Sequence, residues 1–225
     1  MHVPADVHGV RPVKLVLEKL AVARGGRTII SDLSLEVCTG EAVLLTGANG
    51  AGKTTLIRAI AGLIAPQAGR IVLEGGDGEK DLAQQCHYAG HANAIKSSLT
   101  VSENLQFWGD YLEDQGAAGE ARDDAVQRAL EALDLEALSG IPAAYLSAGQ
   151  KRRVGLARIL MVKRPVWLLD EPTVSLDASS AAVVARLVNT HTAGGGLALI
   201  ATHLPLALTA PRTLHLTPAS GAEAA

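Results

Sequence analysis

Cysteines, aromatic rings and long apolar runs are all scarce in this chain of 225 residues. Its two cysteines, Cys38 and Cys86, form no CxxC pair and have no His-rich spacing around them, so two reduced thiols are expected rather than a metal site. No apolar run approaches the roughly 20 residues that cross a bilayer. The longest, VWLL at 166–169 and LALIA at 197–201, have the length of buried strands. The opening MHVPADVHGVRP lacks a charged segment followed by an apolar block, so secretion is not expected. A net charge of −3 supplies no basic field for nucleic acid. No repeat has a solenoid period. Aromatics make up only 3% of the chain, so the grouping of Phe107, Trp108 and Tyr111 stands out.

What is present reads as an α/β chain with a helical insert. Residues 13–23 alternate in part, RGGR follows as a turn, and ISDLSLEV at 30–37 alternates as a half-buried strand does. EAVLLTG at 41–47 is a continuous apolar strand leading into a Gly-rich loop, and Leu56, Ile57, Ile60 and Leu63 then fall at helical spacing. RIVLEGG at 70–76 is a further strand. From about 100 to 162 the pattern is helical, opening on Thr100 and Glu103, which suit a capping box. Residues 114–125 read as a loop or weak helix start, and 125–138 as a helix. Strands return at VWLLD, LALIATH and TLHLT, with a helix over about 178–190. The expected organisation is one domain over 13–217, its core about 13–90 and 163–217 and its helical subdomain about 91–162. An arm over 1–12 and a flexible tail over 218–225 flank it.

Two stretches are suited to phosphate. The first, Gly47-Ala48-Asn49-Gly50-Ala51-Gly52-Lys53-Thr54-Thr55, is a P-loop in its required setting, between an apolar strand and an amphipathic helix. Its glycines let successive N–H groups turn inward, Lys53 adds a point charge for the terminal phosphates, and the Thr54 hydroxyl can hold Mg²⁺. No NKxD-type stretch for reading guanine occurs, which favours ATP over GTP. Asp170 ends the strand VWLLD, where a carboxylate can reach the Mg²⁺ shell, and Glu171 follows, able to orient or deprotonate a water. Acidic residues after strands also serve as caps; beside a P-loop, hydrolysis is the better reading. The second stretch is LSAGQKRR at 146–153, a helix start with Ser147 as N-cap and Gly149 allowing close backbone approach. Alone it could be an ordinary capped helix.

Together, G47ANGAGKT54, L146SAGQ150, L168LDEP172, S175LD177 and T202H203 resemble the nucleotide-binding domain of ATP-binding cassette (ABC) ATPases, over nearly the whole chain. The resemblance implies a P-loop NTPase fold with a RecA-like core, an antiparallel β subdomain and an inserted helical subdomain. It also implies an ATP-sandwich dimer in which Ser147, Ala148, Gly149 and Gln150 of one copy close over the ATP on the other's P-loop. Ala148 replaces the commoner glycine, a small change. His203 takes the switch-histidine position, though a histidine after a strand can be merely structural. Asp177 would sit at the dimer seam and can also cap the helix from 178.

Two positions depart from the usual pattern. His91 stands where a metal-sensing glutamine is expected, or is a loop residue without nucleotide contact. Arg24 replaces the aromatic ring that stacks on adenine; a guanidinium can stack likewise, or be an exposed turn arginine. R24GGR27, Y88AGH91, A94IKSSLTVSENLQFW108 and LSAGQKRRVGLARI are most similar to the CcmA branch of the family, the ATP-binding subunits of cytochrome c biogenesis transporters, often called haem exporters. That resemblance implies a peripheral subunit on the cytoplasmic face of a bacterial inner membrane, with membrane partners CcmB, CcmC and CcmD, driving release of the haem-loaded chaperone CcmE. The aromatic group 107–111 is then either core or part of the surface that receives a cytoplasmic helix of the membrane subunit. The alternatives are an ABC exporter for another cargo and a soluble ABC-type ATPase of DNA maintenance. The latter usually carries long coiled coils and basic surfaces, and neither is visible here.

Overall fold

A computed structural model of the chain describes residues 12–112 and 120–217. The expected arm (save Pro12), the tail over 218–225 and residues 114–119 of the expected loop lie outside the described residues. In chain order come strands β1 (Lys14–Arg24), β2 (Arg27–Cys38) and β3 (Ala42–Thr46), helix α1 (Lys53–Ile60), and strands β4 (Ala68–Glu74) and β5 (Cys86–Ala89). Helices α2 (Val101–Leu112), α3 (Glu120–Ala132) and α4 (Ala148–Ala157) follow. Strand β6 (Val166–Asp170), helix α5 (Ala178–Ala193) and strands β7 (Leu197–Ala201) and β8 (Arg212–His215) complete the chain. Two compact units form. Among the described residues, one takes those through Tyr88, Arg164–Asp170 and those from Val188; the other takes those between Ala89 and Lys163 and Glu171–Leu187.

The first unit holds two sheets. The smaller is antiparallel, in the order β2-β1-β4. Its central strand shows why residues 13–23 alternate only in part. Leu15 and Leu17 are buried, then the register slips after Leu17, and Leu20 and Val22 become the buried positions. Lys19 sits at the slip with φ of 45°; one inserted residue moves the inward face from odd to even numbers. The larger sheet has the order β5-β6-β7-β3-β8, with β3 parallel to β7 and β8, and β6 parallel to β7. Every residue of VWLLD and LALIA is buried, as strands covered on both faces require. Leu56, Ile57 and Ile60 of α1 join Leu45, Leu168 and Leu199 of this sheet in one core with Leu15, Leu17 and Leu20.

In the second unit the expected capping box forms: Thr100 N–H donates to Glu103 at 2.8 Å and Glu103 N–H to Thr100 Oγ1 at 3.2 Å. Asn104, 1% exposed, donates to the carbonyls of Lys96, Leu99 and Thr100 and accepts from Lys96 N–H, so it pins the loop before α2. The weak-helix reading holds for 120–125, and two helix ends differ from expectation. Helix α3 begins at Glu120, so residues 120–125 are helical; Asp123 and Asp124 near its start suit the positive end of the helix. It stops at Ala132, with Asp134 in the left-handed region at φ of 52°, so 133–138 do not continue it. Helix α5 also runs three residues beyond 190. No helix among the described residues is long and apolar enough to cross a membrane.

Candidate functional site

In the first unit, three adjacent parallel strands, ordered β6-β7-β3, end at the same edge of the sheet. From their carboxyl ends emerge Asp170, the segment Thr202–His203 and the Gly-rich loop. That edge is where open α/β sheets bind ligands. The loop is pressed against the exit of β8: Leu216 N–H donates to Thr46 O at 2.9 Å, and a Cβ on Gly47 would stand 2.3 Å from Leu216 O. Gly47 also has φ of 133°, so only glycine serves there. Gly52 begins α1 with φ of 101° and gives no side-chain cap, which leaves the first-turn N–H groups for an anion.

Lys53 is buried and folds back over its own loop, donating to Gly47 O at 2.8 Å and Ala48 O at 3.1 Å. Thr54 Oγ1 donates to Asp170 Oδ1 at 3.0 Å, so residues 116 apart in sequence meet. Asp170 is 0% exposed. A hydroxyl and a carboxylate together are hard oxygen donors of the kind Mg²⁺ takes, and Mg²⁺ commonly binds through one or two such groups with substrate phosphates completing its shell. The pair fits that ion. Among the described residues no group of three or more His, Cys, Asp and Glu is placed to hold a metal by itself.

Ala51 and Thr55 of the loop are buried, whereas Arg24 and His203 are at the surface. Arg24 ends β1 opposite Arg27 across the Gly25–Gly26 turn, with its side chain exposed. His203 is exposed beyond β7, where Thr202 Oγ1 both donates to Leu204 O at 3.1 Å and accepts from Leu204 N–H at 3.0 Å, tightening the turn around it.

The second unit carries the remaining positions. Ser147 caps α4: Gln150 N–H donates to Ser147 Oγ at 3.2 Å and Ser147 N–H to Gln150 Oε1 at 2.8 Å. The Ser147 oxygen accepts, so its O–H remains to donate outward. A Cβ on Gly149 would stand 3.0 Å from Ser175 O, which brings the helix start against the S175LD177 stretch. Asp177 caps α5, accepting from Ser180 N–H at 2.8 Å and Ser179 Oγ at 3.0 Å. The bond from the Ser180 N–H, first, holds its carboxyl below the usual range. His91 is exposed in a bend after β5. Glu171 has φ of 51°, a left-handed backbone that residues with a Cβ seldom adopt. Sequence reading passed over Arg152. It is 5% exposed and donates to Glu171 O at 2.7 Å, but LSAGQKRR gives no sign of which arginine turns inward.

Residues 30–174 match the family model described as ABC transporter. The chain is 52% identical over 191 residues to the cytochrome c biogenesis ATP-binding export protein CcmA of Nitrobacter winogradskyi, covering 85% of this chain and 92% of that one. It is 50% identical to the protein of the same name from Rhodopseudomonas palustris strain BisB5, with the same coverage. Among solved structures, an ATP-binding subunit of an ABC transporter superposes with a TM-score of 0.74 at 27% identity, over 84% of this chain and 79% of that one.

Proposed function

Since the chain belongs to the ABC transporter family, we infer that it is the ATP-hydrolysing subunit of a transporter complex for cytochrome c maturation. The observation that carries the hydrolytic part is the bond between Thr54 Oγ1 and Asp170 Oδ1 beside the glycine cradle. It joins the two oxygen donors that an ATPase needs at one point of the strand edge. The near-full-length likeness to proteins named for cytochrome c biogenesis supports the cargo system.

In this reading ATP lies on residues 47–55, and phosphate oxygens replace the carbonyls of Gly47 and Ala48 as acceptors for Lys53. Arg24 stacks on the adenine face. Thr54 and Asp170 would hold Mg²⁺, and the ion would draw charge from the phosphate oxygens. Glu171 takes a proton from a water whose oxygen bonds to the γ-phosphorus as the bond from that phosphorus to the bridging oxygen breaks, so that phosphate forms and ADP leaves with the electron pair. His203 donates to the γ-phosphate, and His91 stands at the position that senses the metal. The capped start of α4, with Ser147, Ala148, Gly149 and Gln150, covers the triphosphate of a second copy, with Asp177 at the seam. The functional unit is a single domain over 13–217. Its partners are a second copy and membrane subunits of the CcmB, CcmC and CcmD kind, on the cytoplasmic face of a bacterial inner membrane, acting on the chaperone CcmE.

Comparing ATP turnover of the wild type and Glu171→Gln tests the chemistry. Loss of the proton acceptor should slow turnover by about a hundredfold and trap an ATP-bound dimer visible by light scattering. Equal turnover in the two proteins removes Glu171 from the reaction.

A further inference from the structure

One face of α4 carries Gly149, Arg152 and Gly155, each three residues from the next. Along that face the helix meets two segments of its own compact unit, the one around His91 and the one beginning at Glu171. Gly149 lies against Ser175, and a Cβ on Gly155 would stand 2.9 Å from Asn93 O. Between them lies the Arg152 guanidinium. Its Nη2 donates to Glu171 O at 2.7 Å and its Nε to Pro172 O at 3.1 Å. Its Nη1 donates to Gly90 O at 2.6 Å and to Asn93 Oδ1 at 3.3 Å, on either side of His91.

A cation taken out of water needs such bonds, and an arginine fork can serve several acceptors where a lysine serves fewer. What these bonds hold is informative. Glu171 is the residue with φ of 51°, and its carbonyl is among these acceptors. A strained backbone of this kind persists only where its surroundings over-determine it, and it clusters where a side chain must be aimed. Two charge-assisted bonds, on Glu171 and on the residue after it, supply that constraint.

We propose that Arg152 is the positioning residue for Glu171, holding its backbone left-handed and tying it to the Ser147 end of α4 and to the loop of His91. The proposal rests on the hydrolytic role of Glu171 given above. Arg152 touches no nucleotide in this scheme. It makes α4, the His91 loop and Glu171 one rigid piece, so that closure of the helix start on a neighbour's triphosphate also orients the glutamate.

ATP hydrolysis by the full-length chain tests it, with Arg152→Lys and Arg152→Gln each made alone and on the Glu171→Gln background. A folded Arg152→Lys chain should keep its KM for ATP within about threefold and lose kcat by about tenfold or more, the split expected when an interaction acts only in the transition state. On the Glu171→Gln background the same change should alter the residual rate by less than about twofold, because the two residues act as a unit. Three results would overturn the proposal: wild-type kcat in a folded variant, the full loss repeated on the Glu171→Gln background, or failure of both variants to fold. The last would assign Arg152 to the fold alone. If Glu171→Gln by itself turns over like wild type, the hydrolytic reading has failed, and the proposal falls with it for a reason visible in that control.

Discussion

His191 lies flat on Trp167, ring centroids 4.0 Å apart and planes within 7°, with Nε2 3.2 Å from Leu197 O. Burial holds its imidazole down at about 4, against about 6.5 in the unfolded chain. The unfolded state therefore takes up the proton first. Stability is complete above about pH 6.5 and declines as pH falls through 4, by up to about 3 kcal/mol. Urea midpoints at pH 7.5, 5.5 and 4.5 should fall accordingly, and the fall should be shallower in His191→Gln. An equal slope in both proteins would clear His191 of the effect. Nothing in VNTHTAGGG marked that histidine as buried, since burial comes from Trp167 on a strand 24 residues earlier. Burial acts on Cys86 as well, pushing its thiol up to about 12, so that it stays protonated at neutral pH.

Among the elements, α2 shows both what local pattern conveys and where it stops. Its capping box is a local matter, because the side chains of Thr100 and Glu103 each bond the other's backbone N–H, whereas the next two N–H groups, of Val101 and Ser102, reach Ile141 O and Ser139 O. The fate of its aromatic residues is not local. Phe107 stacks on Tyr111 at 6.3 Å, and Trp108 meets both rings edge-on, at 5.7 and 5.5 Å. Lys96 lies 4.1 Å over Phe107 and Arg158 lies 4.6 Å over Trp108. Phe107 is nonetheless 37% exposed and Tyr111 70%, so the core reading fails for these two, and the cluster lies at the surface of its unit. Trp108 is tied down by its Nε1 bond to Ala94 O at 2.8 Å. Tyr111 is therefore the cleaner probe of a docking surface. Tyr111→Ala should weaken capture of the membrane subunits by about tenfold with unchanged melting temperature and basal ATP turnover. Undiminished capture would leave these rings without a partner role.

At the scale of the whole molecule, the two-copy reading makes a prediction that neither site can test alone. Lys53→Ala disables a P-loop and Ser147→Arg disables a helix start, so each variant should be inactive by itself. A mixed pair joins the intact loop of one copy to the intact α4 of the other. An equal mixture should then regain about a quarter of wild-type turnover, because half the pairs are mixed and each has one complete site. A mixture as inactive as its parts would argue that each chain works on its own. The sequence by itself determined the family, the glycine cradle and the caps of α2, α4 and α5, because those features join residues a few positions apart and their spacing is their geometry. Only the tertiary structure decided that Thr54 would bond Asp170, that β7 would lie between β3 and β6, and that Arg152 rather than Arg153 would turn toward Glu171. Those depend on strand order and on which face of a helix is covered, and both are set by the packing of distant segments.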